Sequence, residues 1–201
     1  MTTRADQFFA GDCVFAFGAA NVESMPPPHL PEFALIGRSN VGKSSLFNAL
    51  TGRPSAHVSA TPGRTQQLNF FLLSRRCYLV DVPGYGFAKA PKAKITAWQN
   101  LLRGYLRKRT VLQQLFVLID ARHGVVKTDT AMLDELDRVA RGYRVLLTKC
   151  DMLKPEALAK VQTSVEAVLR RHPAAYPEAI LTSAKYNTGI ALLRKTIFEC
   201  L

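Results

Sequence analysis

Hydrophobic positions along the chain alternate between short continuous runs and longer, regularly spaced stripes. Phe33-Ala34-Leu35-Ile36 is a continuous run that enters a glycine-containing loop, and Ser44 to Leu50 then has helical spacing that Gly52 stops. Leu68–Leu73 and Cys77–Val82 read as strands. Only Ser74-Arg75-Arg76 separates them, which predicts a hairpin. Trp98–Arg109 looks helical, Leu115–Asp120 is again continuously apolar, and Thr128–Ala140 sets Met132, Leu133, Leu136, Val139 and Ala140 on one stripe. Val145–Thr148 predicts a strand, Pro155–Arg170 a helix, Ile180–Thr182 a short strand and Gly189–Leu201 a last helix.

Continuous apolar strands that alternate with amphipathic helices need cover on both faces. The expected fold is therefore α/β: a mostly parallel six-stranded sheet with one antiparallel strand, supplied by the hairpin, and helices on both faces. Two polar, turn-rich stretches interrupt the alternation. One runs from Arg53 to Gln67 around HVSATPGRTQQ, and the other starts at Pro83-Gly84-Tyr85-Gly86. Residues 1–31 read as an N-terminal extension leading into the fold. They end in Met25-Pro26-Pro27-Pro28, a stiff connector, because consecutive prolines join neither a helix nor a central strand. Residues 32–201 form the expected domain, with no internal repeat.

A chain of 201 residues can bury a core unaided, and 48% hydrophobic against 21% charged residues is ordinary globular usage. The charge balance is not ordinary. Lys plus Arg number 27 against 15 Asp plus Glu, a net +12. That excess costs self-repulsion unless an anionic partner, such as RNA, DNA or an anionic membrane, benefits from it. Cys13, Cys77, Cys150 and Cys200 form no CxxC pair, so neither a metal cluster nor a disulfide framework is expected. The N-terminus lacks the pattern of a signal peptide, and no apolar run approaches the ~20 residues that span a bilayer. A cytoplasmic protein without stable membrane insertion is expected.

The chemistry concentrates in a few short motifs. Gly37-Arg38-Ser39-Asn40-Val41-Gly42-Lys43-Ser44 matches GxxxxGK[ST] between a predicted strand and a predicted helix. In that pattern glycines let backbone N–H groups wrap phosphate oxygens, and the helix adds its positive end. Lys43 is placed to reach the β- and γ-phosphates, and the Ser44 hydroxyl to ligate Mg²⁺. Asp81, at the end of an apolar strand, is the second metal-side candidate, and the Gly84 N–H of Asp81-Val82-Pro83-Gly84 is free to meet a γ-phosphate. Thr148-Lys149-Cys150-Asp151 follows another strand. A carboxylate at Asp151 can accept both the ring N–H and the exocyclic amino group of guanine, a donor pair that adenine lacks on that edge. The Lys149 stem could lie over the base. Ser183-Ala184-Lys185 follows the last strand and offers backbone N–H groups to the guanine carbonyl. The bland alternative for Asp151 is helix capping. A P-loop kinase would leave the two guanine motifs without a role.

These residues resemble the TrmE–Era-like translational GTPases, with a P-loop GTPase (Ras-like) domain, and within them the EngB/YihA ribosome-biogenesis branch. The resemblance is carried by GRSNVGKSS at 37–45, TPGRTQ at 61–66, DVPGYGFA at 81–88, TKCD at 148–151 and SAK at 183–185. It implies that residues 53–66 are switch I, with Gly63, Arg64 and the Mg²⁺-linked Thr65 at the nucleotide and Thr61 as a nearby loop hydroxyl. It implies that residues 82–96 are switch II and that Ser45 joins the phosphate site. It also implies a GTPase acting in assembly of the large ribosomal subunit, with GTP or GDP and Mg²⁺ as cofactors, rRNA and ribosomal proteins as partners, a monomeric state and a link to septation. A protein-binding division or signalling switch is the alternative.

Two departures from the broad GTPase pattern matter, and Asn40 adds a further candidate. Thr148 replaces the usual asparagine, which removes an amide brace. Tyr85 follows DxPG where many GTPases carry a water-positioning glutamine, which implies slow intrinsic hydrolysis. Asn40 stands where related enzymes without that glutamine use asparagine to bind K⁺, so K⁺ is a further candidate cofactor. The basic face expected to meet rRNA comprises Lys89, Lys92 and Lys94 with Arg103, Arg107, Lys108 and Arg109. Trp98 and Tyr105 are candidates for base stacking or for the core.

Overall fold

The computed structural model describes residues 3–53, 67–86 and 91–201, without the side chains of Lys92 and Lys94. Lys89 and the switch I residues Thr61, Gly63, Arg64 and Thr65 lie outside the described residues. The elements run α1 (Arg4–Phe9), β1 (Cys13–Ala19), β2 (Glu32–Gly37), α2 (Lys43–Thr51), β3 (Leu68–Leu73), β4 (Cys77–Asp81), α3 (Lys92–Lys108), β5 (Leu112–Asp120), α4 (Lys127–Arg138), β6 (Tyr143–Thr148), α5 (Pro155–Leu169), β7 (Ile180–Leu181) and α6 (Ile190–Phe198). They form one seven-stranded sheet in the order β1-β3-β4-β2-β5-β6-β7. Only β3 runs against the others: it pairs antiparallel with both β1 and β4, and the remaining pairings are parallel.

The sheet therefore has one strand more than the six expected. The addition is β1, inside the segment read as an extension. Its sequence, CVFAFGA, lacks the clean alternation of a strand because the pairing register shifts between Phe15 and Phe17, and both phenylalanines stay exposed on the sheet edge. The proline-rich stretch that follows is also tied down: Arg109 Nη1 donates to the Pro26 carbonyl at 2.7 Å.

Alternate residues of each strand feed opposite cores, as the period of two requires. Leu115, Val117 and Ile119 of β5 face Leu102, Tyr105 and Leu106 of α3, Leu133 and Leu136 of α4, and Leu169 of α5. Phe116 and Leu118 face Phe9 of α1, Phe47 and Leu50 of α2, and Leu193 and Ile197 of α6. Tyr105 thus belongs to the core, and Trp98 packs against it. Arg194 of α6 clamps the rear of α2. Its guanidinium donates to the Leu50 carbonyl (3.0 Å), the Ala49 carbonyl (3.3 Å) and Asp6 Oδ1 (3.1 Å), satisfying carbonyls that the helix end leaves open.

Two members of the expected basic face are committed elsewhere. Arg109 is buried and ion-paired with the fully buried Glu32 at the start of β2, with Nε to Oε2 at 3.2 Å. Arg103 pairs with Glu135, Nε to Oε1 at 2.6 Å. In Arg109→Leu, Glu32 would keep its burial and lose its counter-charge. We expect a loss of about 3–5 kcal/mol in urea unfolding; a loss below about 1 kcal/mol would show that the pair is dispensable.

Candidate nucleotide-binding site

Because β2, β4, β5, β6 and β7 are parallel, the motifs at their C-terminal ends meet at one end of the sheet. β2 ends at Gly37 and α2 begins at Lys43. Between them the chain turns tightly. The Val41 N–H donates to the Arg38 carbonyl (3.2 Å), Asn40 takes a left-handed φ of 63°, and Gly42 enters the helix at φ 99°. Among the described residues no side chain caps α2, so its first N–H groups and positive dipole end point outward from the turn. Ser39 and Asn40 are exposed, Arg38 and Ser44 half-buried, Val41 buried, and Ser45 exposed in the first helical turn. Lys43 Nζ is ion-paired with Asp81 Oδ1, which brings an ammonium and a metal-seeking carboxylate side by side at the mouth of the loop.

The segment after β4 is zipped onto this loop. The Val82 N–H donates to the Leu35 carbonyl (3.0 Å), the Tyr85 N–H to the Gly37 carbonyl (3.1 Å), and the Ser39 N–H to the Tyr85 carbonyl (3.3 Å). A Cβ on Gly84 would come within 3.0 Å of the Gly37 oxygen and 3.2 Å of the Ser39 nitrogen, so only glycine lets the two backbones approach this closely. Tyr85 points away from the loop. Its buried hydroxyl donates to Asp129 Oδ1 at 2.8 Å, and Asp129 Oδ2 accepts the Val126 N–H (3.0 Å) at the start of α4. Burial, with the Asp129 carboxylate adding to it, pushes the Tyr85 phenol far above its ordinary value; burial likewise raises Asp129.

The end of β6 braces the loop from the other side. Thr148 Oγ1 donates to the Val41 carbonyl at 2.6 Å, so the brace expected to be lost with asparagine is made by a hydroxyl. Lys149 adopts φ 57° and reaches back over the turn. Its Nζ donates to the Asn40 carbonyl (2.7 Å) and to Asp120 Oδ2 (2.9 Å). Arg122 donates to the same carboxylate through Nε (2.9 Å) and Nη2 (2.7 Å). Burial acts to raise Asp120, but the bonds from Arg122 and Lys149 outweigh it and hold the carboxyl well below the usual range. Asp120, Arg122 and Asp129 were not singled out from the sequence. Asp120 carried the signal that marked Asp81, an aspartate closing an apolar strand.

Asp151 stands exposed in a single 3₁₀ turn, Cys150–Met152. It caps no helix, since α5 is entered from Lys154. The Cys150 N–H donates to the Thr182 carbonyl (3.2 Å), joining the two base-reading segments. The loop after β7 closes on itself through Ser183 N–H to the Thr188 carbonyl (3.0 Å) and Tyr186 N–H to Ser183 Oγ (3.3 Å). Gly189 ends that loop at φ 73°, where a Cβ would strike the Leu181 carbonyl. Ala184 is half-buried and Lys185 exposed at its turn. Uncapped helix, close glycine cradle, paired Lys43 and Asp81, and an exposed carboxylate beside a closed loop together suit a phosphate chain, a divalent cation and a guanine base.

The profile of a family described as 50S ribosome-binding GTPase matches residues 32–149. The probable GTP-binding protein EngB of Rhodopseudomonas palustris (strain BisB18) is 49% identical over 96% of this chain and 91% of its own. That of Gluconobacter oxydans (strain 621H) is 50% identical over 94% and 84%. The chain belongs to the EngB family of GTP-binding proteins. Like other members of that GTPase family, it binds GTP and hydrolyses it to GDP and phosphate. A crystal structure of a probable EngB protein superimposes with a TM-score of 0.67 at 22% identity, covering 84% of this chain and 97% of the other. Era, solved with MgGDPNP and nucleotides 1506–1542 of 16S ribosomal RNA, superimposes with a TM-score of 0.66 at 22% identity over 86% and 58%. Both likenesses are of fold.

If Asp151 reads the base, Asp151→Asn should weaken GTP binding by roughly 100-fold or more, since two charge-assisted hydrogen bonds are affected. Xanthosine triphosphate should gain affinity, because an amide can donate to its extra carbonyl. A variant that still selects GTP over XTP as the parent does would remove Asp151 from that role.

Proposed function

We propose that this chain is a slow GTP-dependent switch in assembly of the large ribosomal subunit, linked through that work to normal septation. The observation that carries the reading is the convergence of a P-loop, a DxPG segment and two guanine-reading loops at one end of a basic molecule. In it Lys43 meets the β- and γ-phosphates with the backbone of Gly37 to Gly42, assisted by Ser45. Ser44, Asp81 and Thr65 hold Mg²⁺, whose charge would offset that on the phosphate oxygens. Gly84 N–H meets the γ-phosphate, and Gly63 and Arg64 accompany Thr65. Asp151 and the Ser183–Lys185 backbone read guanine, with Thr148 and Lys149 bracing the loop beneath it.

Slow turnover follows from Tyr85. Its hydroxyl is committed to Asp129, so the position that often orients the attacking water offers no side chain to it. The ribosomal partner is supported by the family description and by the net +12, which suits rRNA phosphates. Ordering both switches on a γ-phosphate would preform the docking surface and lower the entropy lost on binding. Binding to large-subunit particles should therefore be tighter with a non-hydrolysable GTP analogue than with GDP, in co-sedimentation at fixed salt. Equal binding with the analogue, with GDP and without nucleotide would sink the proposal, and binding to division proteins instead would favour a protein-directed switch.

K⁺ is a second cofactor in this reading. The exposed Asn40 side chain sits on a loop whose carbonyl Lys149 holds, so its carbonyl oxygen can turn toward a monovalent ion beside the phosphates. Hydrolysis should be several-fold faster in KCl than in NaCl of equal concentration; equal rates would reject the role.

A further inference from the structure

The end of the sheet opposite the nucleotide motifs carries its own chemistry. The N-terminal ends of β4, β5, β6 and β7 all lie there because these strands are parallel. The segments entering them bring cations. Arg75 and Arg76 form the hairpin turn before β4, Arg107 and Lys108 end α3 before β5, and Arg170 and Arg171 follow α5. All six are exposed, and among the described residues none is in an ion pair. The ends are held in one layer. Arg141 bonds the Leu106 carbonyl (2.7 Å) and the Arg109 carbonyl (3.3 Å), joining the tails of α3 and α4, and the Tyr143 N–H bonds the Ala174 carbonyl (3.0 Å), joining β6 to the segment after α5.

Complementing helix dipoles explains cations at the ends of α3 and α5. It does not explain Arg75, which sits in the β-turn beside Arg76, whose guanidinium lies 5.8 Å from the centre of the Phe8 ring. Nor does it explain Arg144, whose guanidinium stacks 3.7 Å over the ring of the exposed Tyr176. A cation held over an aromatic ring is a ready surface for bases as well as phosphates. At ~4.8 Å between strands, the row from β4 to β7 extends about 19 Å, several phosphates long. Opposing charge near this end is largely engaged: Asp12 is paired with Arg53, Glu199 with Lys195, and Asp137 bonds His172 and the Ala174 N–H, which leaves Asp134 and Glu178 among the described carboxylates.

We infer that this end of the sheet is an RNA-docking face, which contacts the phosphate backbone of structured rRNA while the opposite end holds the nucleotide. The inference rests on the ribosomal reading above and gives it a second surface, away from the one that ordered switches would preform. An anionic membrane fits less well, because membrane binding needs apolar anchors. Of the exposed large hydrophobic residues described, Val14, Phe15 and Phe17 lie on the edge strand, Leu192 on α6, and Met152 and Tyr186 at the nucleotide end. Among these, Tyr176 stands beside the cations and Val14 pairs with Leu72 beside the hairpin, two separate residues rather than an apolar anchor.

The test uses the full chain and its variant R107A/K108A/R170A/R171A, all four positions being exposed. Binding to an in vitro transcript of large-subunit rRNA is measured by filter retention from 50 to 200 mM KCl. Fluorescent GTP binding to both proteins reports that each is folded. The variant should bind RNA at least about 10-fold more weakly and lose about 3 from the slope of log K against log salt, at 0.7–0.9 per phosphate contact. Its GTP affinity should equal the parent's. Parent-like RNA binding and slope in the variant would overturn the docking face and leave the ribosomal reading standing. So would complete loss of RNA binding in K92A/K94A alone, which would leave no contact to this end. No RNA binding by the parent would overturn both, and tighter binding to phosphatidylglycerol vesicles than to RNA would assign the face to a membrane.

Discussion

Burial of both faces of a parallel sheet is the constraint from which the rest of this molecule follows. A strand covered by helices on either side has no place for an unpaired charge, because desolvating one costs more than a single contact returns. The middle of β5, from Leu115 to Ile119, is accordingly apolar on both faces. Charge and catalysis are pushed to the two ends of the sheet. The exception, Glu32 in β2, carries its counter-ion Arg109 with it, and that pair holds the proline-rich connector to the tail of α3.

At the C-terminal end, backbone groups do most of the positioning. The phosphate loop is gripped on one side by the strand-like pairing of Tyr85 with Gly37 and Ser39, and on the other by Thr148 and Lys149. Lys149 in turn is held by Asp120, whose carboxylate Arg122 also anchors. A loop braced this way loses little entropy when an anion enters it, and preorganisation of that kind gives dipoles and ammonium groups their effect. Tyr85 shows the cost: a side chain used to fasten Gly84 against the loop is no longer available to orient water.

The N-terminal end uses the same topology differently. Helices that descend from the nucleotide side finish in basic turns, and the β3–β4 hairpin adds two arginines to the row. One sheet thereby separates an anion site for a small ligand from a broad cationic surface, across the length of its strands. The net charge, which has no role in the core, finds its place here.

Much of the fold was legible in the sequence. Continuous apolar runs and 3.6-residue stripes are local properties, so six strands, the hairpin and the helices α2 to α6 could be read directly, as could the motif residues whose spacing reflects phosphate and guanine chemistry; α1 (Arg4–Phe9) lay unread in the N-terminal extension. What sequence could not show depended on partners distant in the chain. β1 is a strand because β3 offers it an edge, although its own alternation is broken at Phe15–Phe17. Arg103 and Arg109 looked like free cations until Glu135 and Glu32, 32 and 77 residues away, claimed them. Tyr85 and Thr148 could be marked as departures, but only tertiary packing decided that one turns inward to Asp129 and the other restores a brace through Val41. Local patterning determines which elements form; which side chains are free to act is decided by what the folded chain brings within 3 Å of them.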